Sequence, residues 1–377
     1  MKKIITIILI TAIFFQCGSF CVHGDNENRL NSVTAKYAAV IEANSGSLIY
    51  GKAENVQASM ASTTKIMTAL LLCELCDLDK EITVTAEMVT VEGSSMGLKA
   101  GDRVHYRDLL YGMLLASGND AANATAISIA GSISAFAELM NSRAERIGMH
   151  NTHFVTPSGL DDEKHYSTAF DMALLAREAM NNNDFATACS SKSARLEYGN
   201  PPYKRTLTNH NKLLKMYHGC IGVKTGFTKK SGRCLVSCAE RDGKKIIAVT
   251  LNAPDDWNDH RTLLDYGFSK LETRTLAAPE LDEIYTVGGL NDGITAEAND
   301  VSISLLSNDF NRIETKVILN DIIVAPQNSG DIIGVIKWEL DGITVAESDI
   351  TVSGSVINQA VSNRRSYLYW LEQFLTA

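Results

Sequence analysis

Proline is scarce in this 377-residue chain, with six in all, and no low-complexity tract accompanies them. That excludes a large disordered or fibrous protein. An excess of positive charge is missing too: 35 Lys and Arg stand against 44 Asp and Glu, a formal net charge of −9. Affinity for a phosphate backbone needs clustered Lys and Arg, so no nucleic-acid partner is expected. Past the first residues, no run is long and apolar enough to cross a hydrocarbon core of ~30 Å. The chain is 45% hydrophobic and 21% charged, an ordinary globular balance. At ~150 residues per domain its length predicts two or three domains. What remains is an enzyme or a binding protein with ample core.

Residues 1–24 have the form of an export signal. Lys2 and Lys3 make a basic start, Ile4 to Phe15 a short apolar run, and Val22-His23-Gly24 a cleavage region. Phe15-Gln16 and Ser19-Phe20 are poor leads into a lipidated cysteine, so export without a lipid anchor is the expectation. Behind the signal lie Cys73, Cys76, Cys189, Cys220, Cys234 and Cys238. Six thiols allow about 15 pairings, and sequence does not choose among them. Cys73-x-x-Cys76 sits in the apolar run Ile66 to Leu78 with no second pair at metal spacing. It reads as inert packing rather than a redox or zinc motif.

Ala38 to Ile41, the turn Asn44-Ser45-Gly46 and Leu48 to Tyr50 read as a β-hairpin. From Ser62 to about Cys76 the chain is apolar nearly all round, which predicts a buried helix. Tyr106 to about Ile147 carries two or three further helical patterns. Arg233 to Ala239 and Lys245 to Leu251 read as strands joined by Asp242-Gly243, and Asp256 to Phe268 is helical again. These elements predict an α/β unit, a mixed sheet with helices packed on it, over residues 25–272.

Beyond Thr273 the alternation Val301-x-Ile303-x-Leu305, Ile313-x-Thr315-x-Val317-x-Leu319 and Ile336-x-Trp338-x-Leu340 predicts a small all-β domain over 273–360. Residues 361–377 return to helical spacing. Tyr367, Trp370, Leu371 and Phe374 share a face behind Arg364 and Arg365. This amphipathic pattern fits a helix lying on a membrane surface, or a terminal helix packed on its own domain.

Three short motifs carry chemistry. Ser62-Thr63-Thr64-Lys65 places a hydroxyl and an amine at i and i+3, on one face. A serine needs a base within reach, and a lysine serves only when burial or a second cation favours its neutral form. Alone the motif is no more than a helix start. Ser117-Gly118-Asn119 offers a hydroxyl to relay a proton and an amide to hold a substrate; alone it is a turn. Lys224-Thr225-Gly226 offers a cation and a hydroxyl to an anionic substrate end, with a glycine where backbone meets ligand. Lys224 is also the candidate for the cation that depresses Lys65.

In this order the three motifs resemble those of the serine D-Ala-D-Ala peptidases, the penicillin-binding proteins, and their relatives the serine β-lactamases. Met60 to Thr68, Leu98-Lys99-Ala100-Gly101-Asp102, Ser117 to Ala121 and Ser158-Gly159-Leu160-Asp161 resemble the low-molecular-weight D-alanyl-D-alanine carboxypeptidases of peptidase S11 type. The stretch Ala325-Pro326 to Gly334 resembles the β-domain those enzymes carry.

The resemblance implies a β-lactamase/transpeptidase-like catalytic domain that trims peptidoglycan stem peptides, takes β-lactam antibiotics as inhibitors, and uses no cofactor and no metal. It implies Ser62 as nucleophile, Lys65 as base, Ser117 as proton relay and Asn119 as the residue orienting lysine and substrate. It also implies Lys224, Thr225 and Gly226 at the substrate carboxylate, with the N–H groups of Ser62 and Phe227 as the oxyanion hole. An exported enzyme acting outside the cell membrane follows.

Arg261 is the candidate for an arginine that some relatives place beyond the third motif. His165 and Asp171 read as a pair bracing a loop near the site. His150 and His153 read as a surface turn, and Lys229-Lys230 as a solvated one. A class A β-lactamase would need a deacylating glutamate in Glu-x-x-Leu-Asn, and neither Glu163 nor Glu178 has that context. A non-catalytic wall-binding protein on the same scaffold is the third reading.

Overall fold

The structure, a computed structural model, describes residues 29–287 and 293–354. The export signal of residues 1–24 and the amphipathic segment 361–377 lie outside the described residues. The main sheet has five strands in the order Leu48–Lys52, Tyr37–Glu42, Lys244–Leu251, Gly232–Arg241, Cys220–Thr228, every neighbouring pair antiparallel. The Asp242-Gly243 turn has both residues at positive φ, +50° and +74°, as a two-residue hairpin of matching twist requires.

Side chains of a strand alternate between faces, so a strand buried throughout needs cover on both. The strand Tyr37–Glu42 is buried from Ala38 onward. Ala39 and Ile41 join Val236, Cys238 and Val249 in one core, roofed by the Lys65–Leu75 and Ala169–Met180 helices. Ala38 and Val40 join Leu235, Ala239 and Ile246 in a second, under Leu263 and Leu264 of the Asp256–Lys270 helix.

The expected buried helix is present as Lys65–Leu75, buried from Lys65 through Leu72. It starts three residues later than the apolar run suggests: Ala61–Thr64 form a 3₁₀ turn, with Ala61 at φ +49°. Three helices, Tyr106–Leu114, Asn119–Ala130 and Ile133–Ile147, occupy the region read as two or three. A hairpin of Ser193–Gly199 and Pro202–Thr208 lies outside the sequence expectations.

The C-terminal part is β-rich, with its own core around Ile336, Trp338 and Ile350. Its four-stranded sheet runs Ala296–Ala298, Ile343–Val352, Ile332–Leu340, Ile313–Leu319. Residue 273, the expected start of this unit, falls inside Leu271–Leu276, which pairs with Val301–Leu306. All six thiols are free. Cys234 and Cys238 are core residues, while Cys73 and Cys76 are half-buried. Burial pushes the Cys73 thiol up to about 12, so it is not a reactive thiolate.

Candidate active site

Ser62 lies on the 3₁₀ turn, where three residues complete one turn and i, i+3 side chains eclipse. Lys65 is the first residue of the following helix and is fully buried. Its Nζ stands 3.0 Å from Ser62 Oγ, 2.6 Å from Asn119 Oδ1 and 2.6 Å from the carbonyl oxygen of Ser158. The last two oxygens only accept. A neutral amine spends its two N–H groups on them and keeps its lone pair for the serine hydroxyl. Burial first, and the nearby Lys224 cation second, push the Lys65 pKa well below that of an ordinary lysine.

Ser117, at φ +59°, and Gly118 connect the Tyr106–Leu114 helix to the one that starts at Asn119. Asn119 is fixed on every side. Its backbone N–H donates to Ser94 O at 2.7 Å and its Nδ2 to Glu92 O at 2.6 Å, which turns Oδ1 toward Lys65. Asp120 secures the same loop, accepting from the N–H groups of Met96, Gly97 and Leu98 and from Ser95 Oγ.

Lys224, Thr225, Gly226 and Phe227 lie on the edge strand Cys220–Thr228. Lys224 donates to Ser117 Oγ at 3.0 Å and to Thr225 O at 2.9 Å, and burial brings its pKa down to about 7. Gly226 marks a close approach: a Cβ there would sit 3.1 Å from Ser62 N, Thr63 N and Met60 O. The strand thus passes beside the Ser62 N–H. The Phe227 side chain is 67% exposed, and the residue lines a cleft together with Ser62. An unpaired strand edge is also a template for an extended peptide.

These residues meet in a cleft of about 370 Å3 lined by Ser62, Ser117, Thr225, Gly226 and Phe227. The candidate arginine of the sequence reading lies outside this cleft. Arg261 lines a separate depression with Arg29 and Asp265. The guanidinium in the cleft belongs to Arg233, which sits opposite Phe227 in the strand register. Asp256 grips it through Nε at 2.9 Å and Nη2 at 2.7 and 2.9 Å, and Trp257 lies under it at 5.5 Å. His210 and Lys212 also line the cleft and escape the sequence reading. Nothing local marks any of the three; strand register and loop path bring them in.

His165 and Asp171 are not a pair. Asp171 accepts from Asn151 N–H and Thr152 Oγ1, while His165 contacts Thr64 and Val155. The turn covers His150 and Asn151, whereas His153 is half-buried, pairs its backbone with Tyr166 and places Nδ1 2.6 Å from Lys164 O.

The geometry meets known proteins at this point. The family model described as D-alanyl-D-alanine carboxypeptidase, peptidase S11, matches residues 24–255. D-alanyl-D-alanine carboxypeptidase DacF of Bacillus subtilis is 32% identical over 365 residues, 93% of this chain and 93% of the relative. DacC of Escherichia coli is 30% identical, covering 86% of this chain and 85% of its own length. Penicillin binding protein 5 from Haemophilus influenzae superposes with a TM-score of 0.62 at 27% identity, over 86% of this chain and 98% of that one. The Streptomyces K15 DD-transpeptidase does so at 0.60 and 34% identity, over 63% of this chain and 98% of its own. The chain belongs to the D-alanyl-D-alanine carboxypeptidase family of peptidase S11.

Proposed function

We propose that this protein removes the terminal D-alanine from peptidoglycan pentapeptide stems through an ester on Ser62. Ser62 Oγ attacks the carbonyl carbon of the penultimate D-alanine and its proton passes to Lys65 Nζ. The N–H groups of Ser62 and Phe227 hold the resulting oxyanion; loss of one such donor costs roughly 2.7–4 kcal/mol in a studied hydrolase. The C–N bond breaks, the leaving amine takes a proton through Ser117, and D-alanine departs. Water then attacks the ester with Lys65 as base, and Ser62 regains its proton. Thr225 and Arg233 receive the terminal carboxylate, with Lys224 behind them. A β-lactam, a strained cyclic amide bearing a carboxylate, enters by the same route and leaves a slow ester.

The observation that carries this reading is the Lys65 amine, 3.0 Å from Ser62 Oγ with its other two positions taken by carbonyl-type oxygens. The family assignment favours it over a serine β-lactamase and over a non-catalytic wall-binding protein. The test is intact-mass spectrometry with benzylpenicillin beside Ser62→Ala, with D-alanine release from a pentapeptide measured in parallel. A persistent one-drug adduct absent from the variant is expected, and rapid drug turnover would move the assignment to a β-lactamase.

The basic start and apolar run before residue 24 support action outside the cytoplasm, with residues 361–377 as the contact to the membrane surface. No helix among the described residues is long and apolar enough to cross a membrane. Deleting 361–377 should shift the protein from membrane to soluble fraction, and an unchanged partition would remove that role.

A further inference from the structure

We propose that His165 is a positioning residue for Lys65: a neutral imidazole that clamps the loop bearing the Ser158 carbonyl onto the turn bearing Ser62. The proposal rests on the reading of Lys65 as base. The ring is 3% exposed. Its Nδ1 accepts the Val155 N–H at 2.9 Å. An amide N–H only donates, so the proton of the neutral ring is on Nε2, which donates to Thr64 Oγ1 at 2.8 Å. Thr64 is the last residue of the Ser62 turn and immediately precedes Lys65. One ring therefore ties the start of the loop, its own end and the nucleophile turn together.

Between Val155 and His165 the loop grips the same elements three more times. Ser158 O takes the Lys65 N–H, Pro157 O takes the Thr68 hydroxyl at 2.6 Å, and Gly159 packs on Ala61. A Cβ on Gly159 would lie 1.9 Å from Ala61 O, at φ +82°. The loop has no freedom to slide without moving Ser158 O off the amine.

This is also why His165 is not a second base. In a serine triad the imidazole Nδ1–H faces a carboxylate and Nε2 holds the lone pair. Here the tautomer is reversed and Nε2 has no lone pair to offer. Protonation would set an N–H against the Val155 N–H. Asp162 and Asp161 on the loop favour the charged ring and His153 opposes it; burial outweighs them, holding the pKa down to about 4.

The experiment uses the full chain with His165→Gln, His165→Phe, Thr64→Val and the His165→Phe/Thr64→Val double variant. It measures the acylation rate constant and the non-covalent affinity for benzylpenicillin, beside thermal unfolding. His165→Gln keeps one acceptor and one donor and should acylate close to wild type. His165→Phe and Thr64→Val should each slow acylation about tenfold or more, as small misplacements of reacting groups do. Initial affinity should hold, because neither residue lines the cleft. The double variant should be no slower than the slower single. The proposal is overturned if a folded His165→Phe or Thr64→Val acylates normally. Equal loss in His165→Gln and His165→Phe, or multiplying losses in the double variant, would overturn it too. An adduct in Ser62→Ala would instead sink the underlying assignment of the nucleophile, whatever the His165 variants do.

Discussion

Lys65 reaches Ser62 Oγ across a 3.0 Å contact and Lys224 reaches Ser117 Oγ across another of 3.0 Å, both amines being buried. Among the described residues no carboxylate is hydrogen-bonded to either lysine, so burial of the two charges favours the neutral form of one. Burial and the Lys224 charge select Lys65 for that role.

Replacing Lys224 with Met removes the charge and keeps the volume. The Lys65 proton affinity then rises, so the rising limb of acylation against pH moves to higher pH. Every pH unit that the limb travels costs about tenfold in rate at a fixed pH below it. Acylation by benzylpenicillin followed from about pH 5 to about pH 10, a range that spans the reference value of lysine, reads this directly. An unmoved midpoint would mean that burial alone sets the charge on Lys65.

Arg233 and Arg261 make opposite predictions. Arg233 lines the cleft and Arg261 does not. A hydrogen bond to a charged group contributes about 1.5–3 kcal/mol, so Arg233→Leu should raise KM for a D-Ala-D-Ala peptide by roughly 10- to 100-fold. The penalty should vanish with a substrate whose terminal carboxylate is an amide, and Arg261→Ala should leave both substrates unaffected. A loss that is equal for acid and amide would make Arg233 a structural partner of Asp256 only.

Gly226→Ala tests the packing of the edge strand on the nucleophile turn. Its φ is ordinary, so the cost comes from space: the new Cβ sits 3.1 Å from Ser62 N, Thr63 N and Met60 O. Strand and turn must part by a few tenths of an ångström. Acylation should fall about a hundredfold, the scale of losing an oxyanion donor, with a small drop in Tm. Normal acylation would show that the turn yields without disturbing the Ser62 N–H.

Local chemistry is legible in this sequence and long-range chemistry is not. Ser62 and Lys65 are three residues apart, so their contact follows from backbone geometry alone. Ser117, Asn119 and Lys224 are legible as motifs; the structure bonds Asn119 to Lys65 and Ser117 to Lys224. Arg233 reads correctly as strand, yet its place in the cleft depends on pairing opposite Phe227 and on a helix that starts at Asp256. Arg261 follows the buried His260 by one residue on that helix, which turns it to another face. Ser158 contributes through its carbonyl, a group every residue has, so the stretch Ser158-Gly159-Leu160-Asp161 carries the resemblance without revealing this contact.

His260 and His165 are both buried and uncharged, which predicts acid sensitivity. His260 lies between Ser237 Oγ at 2.6 Å and Thr250 Oγ1 at 2.9 Å, and burial lowers its pKa from 6.5 to about 3. His165 is lowered from 6.5 to about 4. Folded values below unfolded ones mean the unfolded chain binds protons first. The contribution is complete above pH 6.5 and is lost progressively as pH falls toward 4 and then 3. Every pH unit separating a folded pKa from its unfolded value corresponds to about 1.4 kcal/mol. Glu42 and Asp256 are raised by burial and offset part of this, because the native state takes their protons first on acidification. His260→Gln retains hydrogen bonding without a titrating ring. Urea midpoints at about pH 7 and about pH 4.5, on either side of the unfolded histidine value, should separate widely for the wild type and less for the variant, which keeps only the His165 share. Equal separation in both would assign the acid loss to groups other than this imidazole.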